Sequence, residues 1–430
     1  MNKSKVFGST LIIAGTTIGA GMLALPLASA GIGFSTSLIL MLILWALMAF
    51  TALLMVELHQ FADNDATLHT LAEKILGTKG KWVASFAVMF LFYALCAAYI
   101  AGGGSQFNQR IFDLFDVSLD SQLTTLLFTV LVAVVVTIGT HSVDRVNRVL
   151  FSLKLIAMVL VLSFLAPNIT SQYLMSMPIQ QGLIVAAIPV VFTSFGFHGS
   201  IPSIVKYLDG DVKSLRKVML IGSALPLIIY VFWQGVTLGV VSQETLLADS
   251  SLGALLVSLS QTVQQSNLSV IVGIFADLAL LTSFIGVSLG LFEFMGDSMG
   301  KHLGNAKRVK TAIITFVPPL GFALFYPQGF ITALGYAAIA LAVLAILLPT
   351  IMVHKVRSKP HTLIASHTLT TSDSASNAAQ SHNDDIEYFN TPPLYRVRGG
   401  SQSLIVAGGI GILIIGFQLM ISFGILPSLG

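Results

Sequence analysis

Lys154 and Asp277 are ionisable residues that stand well inside long apolar runs of the chain. A charge inside a bilayer is costly, and such residues mark ion or substrate pathways. An amine or a carboxyl held there can take up and release a proton, which is the chemistry of a gradient-driven carrier. Each has a structural alternative. The long stem of Lys154 can snorkel to a nearby membrane surface, and Asp277 can pair with a neighbouring helix. Glu57 and Glu293 close their runs and are read as interfacial.

A second kind of chemistry lies in the backbone. Residues 15–26 hold Gly15, Gly19 and Gly21, with Thr16, Thr17 and Pro26, inside the first apolar run. Residues 188–202 hold Pro189, Thr193, Ser194, Gly196, Gly199 and Pro202. Glycine and proline weaken a helix, and freed backbone groups in a bilayer must be satisfied. Unwound backbone at mid-membrane offers bare N–H and C=O groups to a ligand. Close helix packing through small residues is the competing explanation for either break alone. Two breaks at matching places favour a binding site.

The elements that position these residues follow from composition. Hydrophobic residues make up 55% of the 430 residues and charged residues 10%. The mean hydropathy is +0.87. Soluble domains carry about 25% charged residues, so the chain is expected to be an all-α polytopic membrane protein. Eleven apolar segments of spanning length are predicted at 6–30, 34–58, 82–103, 122–140, 148–166, 182–205, 218–241, 268–292, 310–326, 329–353 and 402–425. Lys3 and Lys5 ahead of the first run resemble the start of a cleavable signal peptide. That run is too long for one and is broken by glycines, so it is read as a span. The single cysteine, Cys96, allows no intrachain disulfide.

Lys and Arg sort by side. With the N-terminus inside, the inner loops carry Lys74, Lys79, Lys81, Arg145, Arg148, Lys206, Lys213, Arg216, Lys217, Lys301, Lys307, Arg308, Lys310, Lys355, Lys359 and Arg396. Of the 22 Lys and Arg, only Arg110 falls outside. This positive-inside pattern predicts a cytoplasmic N-terminus and an outer C-terminus. Residues 354–401 form the one long loop and are rich in Ser, Thr, Asn, Asp and His. They are expected to be a disordered cytoplasmic linker.

Gly19 and Gly196 occupy equivalent places in two successive sets of five segments. Five is odd, so the second set must enter from the opposite side. The expected architecture is an inverted five-plus-five repeat with broken helices 1 and 6, the leucine-transporter type. The repeats are 1–166 and 182–353, with residues 354–401 as linker and 402–430 holding a peripheral eleventh helix.

The residues also carry a family resemblance. Residues 14–26 resemble the first helix of the hydroxy and aromatic amino acid permeases, within the amino acid–polyamine–organocation superfamily. Residues 192–204 resemble their sixth helix, and 275–280, 325–330 and 333–337 are similar as well. The resemblance spans nearly the whole chain; the 360–392 loop is longer than the family pattern. It implies a bacterial inner-membrane importer of aromatic amino acids, with L-tyrosine first. Leu153, Lys154 and Leu155 resemble the fifth-helix position where a lysine carries the coupling proton in some superfamily members. There an ammonium stands where sodium sits in sodium-coupled relatives.

A zwitterion in this site needs two kinds of partner. Its carboxylate suits the N–H groups of Gly19, Ala20 and Gly21 at a half-helix start. Its ammonium suits carbonyls near Ala14, Thr193 and Ser194, with hydroxyls from Thr16 and Thr17. Neither break holds an acidic residue, which favours a neutral amino acid. Phe192, Phe195 and Tyr93 are candidates to stack on an aromatic ring, beside Gly196. His198 is the candidate reader of a phenol hydroxyl, with a packed structural histidine as its alternative.

ATP is excluded as energy source, because residues 296–301 have the wrong spacing for a phosphate loop. No cofactor and no metal is expected, and no nucleic-acid patch occurs. The partners are therefore an amino acid, protons and the lipid bilayer, and one chain is sufficient. A proton symporter for tyrosine is the leading expectation. A broader aromatic or tryptophan permease, a sodium-coupled neutral amino acid symporter and a passive channel are the alternatives. No H-E-x-x-H or G-x-S-x-G constellation supports an enzyme.

Overall fold

The long apolar runs form helices, and no strand occurs among the described residues. The computed structural model describes residues 3–138, 140–262, 266–298, 304–358 and 395–428. Among them 10 helices are long and apolar enough to cross a membrane, and one bent pair makes the number up to 11. The protein is an all-α, multi-pass membrane protein.

In chain order the helices are α1 (Lys3–Thr17), α2 (Ala20–Ser29), α3 (Gly33–His59), α4 (Leu68–Leu76), α5 (Thr78–Phe115), α6 (Ser121–Ile138) and α7 (Thr140–Leu165). There follow α8 (Ser171–Leu174), α9 (Gln181–Ser194), α10 (Ile201–Tyr207), α11 (Val212–Val240), α12 (Gln243–Ala248) and α13 (Leu252–Thr262). The last are α14 (Ser266–Ser298), α15 (Gly304–Phe325), α16 (Phe330–Ala342), α17 (Leu348–Ser358) and α18 (Gly400–Ser422). Each apolar segment expected from the sequence coincides with one of these spans. Between α16 and α17 a π turn, Val343–Leu347, carries the tenth span through.

The first span is broken where its glycines stand. The Ile18 N–H still donates to Ala14 O at 2.8 Å. Gly19 then turns extended, at φ −143° and ψ −155°, and α2 restarts at Ala20. The two halves meet at 52°. The sixth span breaks after Ser194, passes through the 3₁₀ turn His198–Ser200 and resumes at Ile201. Pro202 sits in the first turn of α10, where its missing N–H removes no helical bond.

Every residue of α2 is buried. It packs against α9, α11, α14, α13 and α16, whereas α1 packs chiefly on α11. With α3 also in contact, the half-helix at the core of the molecule is enclosed by five other spans. By contrast α18 lies at the edge on α16, α9 and α17, and leaves Ile405, Val406 and Ile412 exposed, as a lipid-facing helix would.

The stretch 354–401 is more structured at its ends than expected, and the expectation is corrected there; residues 359–394 lie outside the described residues. α17 continues to Ser358. Glu57, at the end of α3, is buried within the protein. Its carboxylate accepts from Arg357 Nε at 2.7 Å and Nη2 at 2.6 Å, and from the Val397 N–H at 2.7 Å. Gln60 exchanges two hydrogen bonds with the Tyr395 backbone, each at 2.9 Å. The Arg216 guanidinium lies 4.4 Å from the Tyr395 ring centre. Side chains on three helices therefore hold the chain just before α18, which composition alone does not reveal.

Candidate functional site

The break in the first span leaves backbone groups that no helix satisfies. Side chains from three other spans meet them. Tyr230 on α11 donates its hydroxyl to Thr17 O at 2.6 Å and lies 2.8 Å from Ser194 O. Lys154 on α7 donates to Ile18 O at 2.7 Å and to Thr282 Oγ1 at 3.1 Å. The Ala20 N–H donates to Ser283 Oγ on α14 at 2.9 Å. A fourth contact joins the two breaks directly: Ser194 Oγ donates to Gly21 O at 3.0 Å.

Glycine is needed here for close approach. A Cβ on Gly19 would collide with Ser283 Oγ, and one on Gly21 would come 3.3 Å from the Ser194 backbone. The dipole logic is also in place. α1 and α9 both end at this point, so their negative carbonyl ends converge on Tyr230, while α2 begins here with its positive amide end.

Lys154 is 2% exposed, so it reaches inward and does not snorkel to a surface. Thr282 donates its own hydroxyl to Leu278 O at 2.8 Å, which leaves its oxygen to accept from the amine. The Phe151 ring centre is 4.7 Å from Nζ, and Gly15 leaves room for that ring at 3.3 Å from where a Cβ would stand. No carboxylate pairs with Lys154 among the described residues.

Asp277 has a different setting. Arg110 on α5 donates to Asp277 Oδ2 from Nε at 3.0 Å and from Nη2 at 2.9 Å. Asp113 adds a looser contact to Arg110 at 3.7 Å. The paired geometry is the structural alternative named for this residue.

The other expected site residues divide into two groups. Ala14, Thr17, Gly19, Ala20, Gly21, Ser194 and Phe195 lie together at the breaks, all buried. Phe195 packs edge-on against Tyr230 with ring centres 5.3 Å apart. Phe192 is fully buried on α9, and Gly196 N–H caps Thr193 O at 3.0 Å. Thr193 turns its hydroxyl to Pro189 O and to Leu334 O of α16. Thr16 faces outward and meets Ser200 Oγ at 3.0 Å.

His198 looks toward α3, where its Nε2 lies 2.9 Å from Thr51 Oγ1. Tyr93 is on α5, with its hydroxyl donated to Ile314 O of α15 at 2.7 Å. It lines an apolar cavity of about 370 Å³ between α5, α15 and α16, together with Phe90, Phe322 and Tyr336. His198 and Tyr93 are thus held by partners outside the junction of the breaks.

Four residues that hold the broken backbone or flank Lys154 escaped the sequence reading: Tyr230, Thr282, Ser283 and Phe151. The signal for two of them was present, since Thr282 and Ser283 are adjacent hydroxyls inside the eighth apolar run. Nothing in the seventh run singles out Tyr230.

Fold and site together define a multi-pass helical membrane protein whose first and sixth spans break at a shared, polar junction. Residues 2–369 match the model of the tryptophan/tyrosine permease family, and the chain belongs to that family. It is 44% identical over 429 residues to the tyrosine-specific transport system 1 of Haemophilus influenzae, covering 99% of both chains. Tyrosine-specific transport system 2 of the same organism is 41% identical over 99% of both chains. A tryptophan-specific transport protein of Pseudomonas aeruginosa is 33% identical over 83% of this chain and 88% of its own.

Proposed function

We propose that the protein is a transporter rather than an enzyme, and that it imports an aromatic amino acid, L-tyrosine, by proton symport. The observation that carries the coupling is the placement of Lys154 Nζ on Ile18 O and Thr282 Oγ1. An amine in contact with the unwound backbone can report its protonation to the break. The same oxygen atoms would suit a sodium ion, but the lysine already holds them, which favours protons over sodium. The choice of tyrosine is supported by two relatives named for tyrosine that match over 99% of the chain.

In this reading the two breaks form the binding site, and the two sets of five spans form an inverted repeat. The amino acid's carboxylate meets the start of α2 at Gly19, Ala20 and Gly21. Its ammonium meets the carbonyl ends of α1 and α9 near Ala14, Thr17, Thr193 and Ser194. Phe192, Phe195 and Gly196 then lie on the side-chain end. The sorting of Lys and Arg supports a bacterial inner-membrane protein with a cytoplasmic N-terminus and a periplasmic C-terminus. A single chain holds the complete site.

Reconstituted vesicles test the proposal. An imposed proton gradient without sodium is expected to drive accumulation of labelled tyrosine, and excess unlabelled tyrosine to compete better than tryptophan, phenylalanine or serine. A strict sodium requirement, or downhill flux alone without saturation, would overturn it.

A further inference from the structure

The junction of the breaks is buried, and protein hydroxyls sit on some of its polar backbone ends. At the start of α2 and at the ends of α1 and α9 a protein hydroxyl has the sign an amino acid would supply. At the start of α2 the Ala20 N–H donates to Ser283 Oγ at 2.9 Å, as it would to a carboxylate oxygen. At the ends of α1 and α9 the carbonyls of Thr17 and Ser194 share the Tyr230 hydroxyl at 2.6 and 2.8 Å, as they would share an ammonium. Tyr230 is 0% exposed. Ser283 reaches Ala20 only because residue 19 has no Cβ.

We infer that Ser283 and Tyr230 are built-in stand-ins for the substrate's carboxylate and ammonium, which close the empty site so that the unloaded carrier can return across the membrane. The inference rests on the reading of the breaks as the amino acid site. A carrier that accumulates substrate must change face both loaded and empty. Bare half-helix ends closed into a membrane interior are strongly disfavoured, so an empty site needs its own partners. Those partners must also yield to substrate. A neutral hydroxyl does so, because a charged group makes hydrogen bonds roughly twice as strong as a neutral one. The Tyr230 hydroxyl has one proton for two carbonyls, whereas an ammonium has three and can serve both at once. Tyr230 and Ser283 are therefore positioning residues of the empty state, and the substrate replaces their contacts.

Net transport and exchange separate this role from a merely structural one. Net uptake into tyrosine-free vesicles requires return of the empty carrier. Counterflow, in which labelled tyrosine exchanges with unlabelled tyrosine inside, does not. Wild type, Tyr230→Phe and Ser283→Ala are each reconstituted as full chains and assayed both ways. Equilibrium binding of labelled tyrosine to the purified proteins is measured alongside. Each variant is expected to lose net uptake by about tenfold or more while counterflow stays within about threefold of wild type, a loss consistent with one unmet buried group. Tyrosine binding in each variant is expected to equal or exceed that of wild type, because a competing internal contact is gone.

A fall of net uptake and counterflow by the same factor would overturn the inference. So would weaker tyrosine binding in both variants, or unchanged net uptake in both. Failure of the wild type itself to bind or exchange tyrosine would instead overturn the assignment of the site to this amino acid.

Discussion

A few atoms decide what the break can do. Gly19 is the tightest case, since any side chain there would strike Ser283 Oγ. Gly19→Ala is therefore expected to slow tyrosine uptake by about tenfold or more, by displacing a hydrogen-bond partner of buried backbone. Initial rates in vesicles check this, with Gly416→Ala on α18 as a control, because nothing lies within 4 Å of a Cβ built there. Asp277 gives a contrasting expectation. Its carboxylate is tied to Arg110 by contacts of 2.9 and 3.0 Å, so Asp277→Asn should lower stability by about 1 kcal/mol and spare proton coupling. Thermal unfolding in detergent and tyrosine-dependent proton movement check the two halves. Loss of coupling in Asp277→Asn would make Asp277 a carrier of the proton.

At the scale of elements, α11 is the helix whose position matters most, because it carries Tyr230 and packs on both α1 and α2. Gln234, one turn on, reinforces that contact by donating to Ser29 Oγ at 2.7 Å. The start of α11 is capped by Asp211, which accepts from Lys213 N at 3.2 Å and Ser214 Oγ at 2.6 Å. The Ser214 hydroxyl holds the Asp211 carboxyl below the usual carboxylate range. The cap is thus present above the ordinary carboxyl range and is lost as pH falls through the depressed folded value. Asp211→Ala is expected to cost about 1 kcal/mol, read as a lower unfolding temperature at neutral pH. Glu57 stitches α3, α17 and the segment before α18 through three hydrogen bonds. Glu57→Gln leaves Arg357 nearly buried without its counter-charge, and is expected to cost about 3 kcal/mol.

Much at this scale was legible in the sequence. The spans follow from apolar length, and the breaks from Gly19 and Gly196, because glycine acts locally, whereas Gly15, Gly21 and Pro189 stay within helices. The partners of the breaks were not legible. Tyr230, Phe151 and Ser283 act across helix contacts distant in the chain, and an aromatic or hydroxyl residue in an apolar run looks the same whether it meets lipid or backbone. His198 and Tyr93 show the converse. Both are chemically suited to a tyrosine site, but helix rotation turns His198 to Thr51 and Tyr93 to Ile314. Rotation is fixed by packing, which no single residue type encodes.

At the scale of the whole molecule, the proposed substrate site at the breaks adjoins the proposed proton site at Lys154. Ile18 O, held by Lys154, and Thr17 O, held by Tyr230, belong to adjacent residues. In the proposed mechanism a change of charge on Lys154 acts on the same turn of backbone that is proposed to meet the amino acid, without a long pathway between the sites. The most direct test is proton movement caused by tyrosine itself. Unlabelled tyrosine is added to weakly buffered vesicles holding wild type or Lys154→Gln, without sodium, and external pH is followed. Wild type is expected to make the medium more alkaline as protons enter with tyrosine, and Lys154→Gln to give no such change while still binding tyrosine. An equal alkaline shift in Lys154→Gln, or none in wild type, would contradict the account.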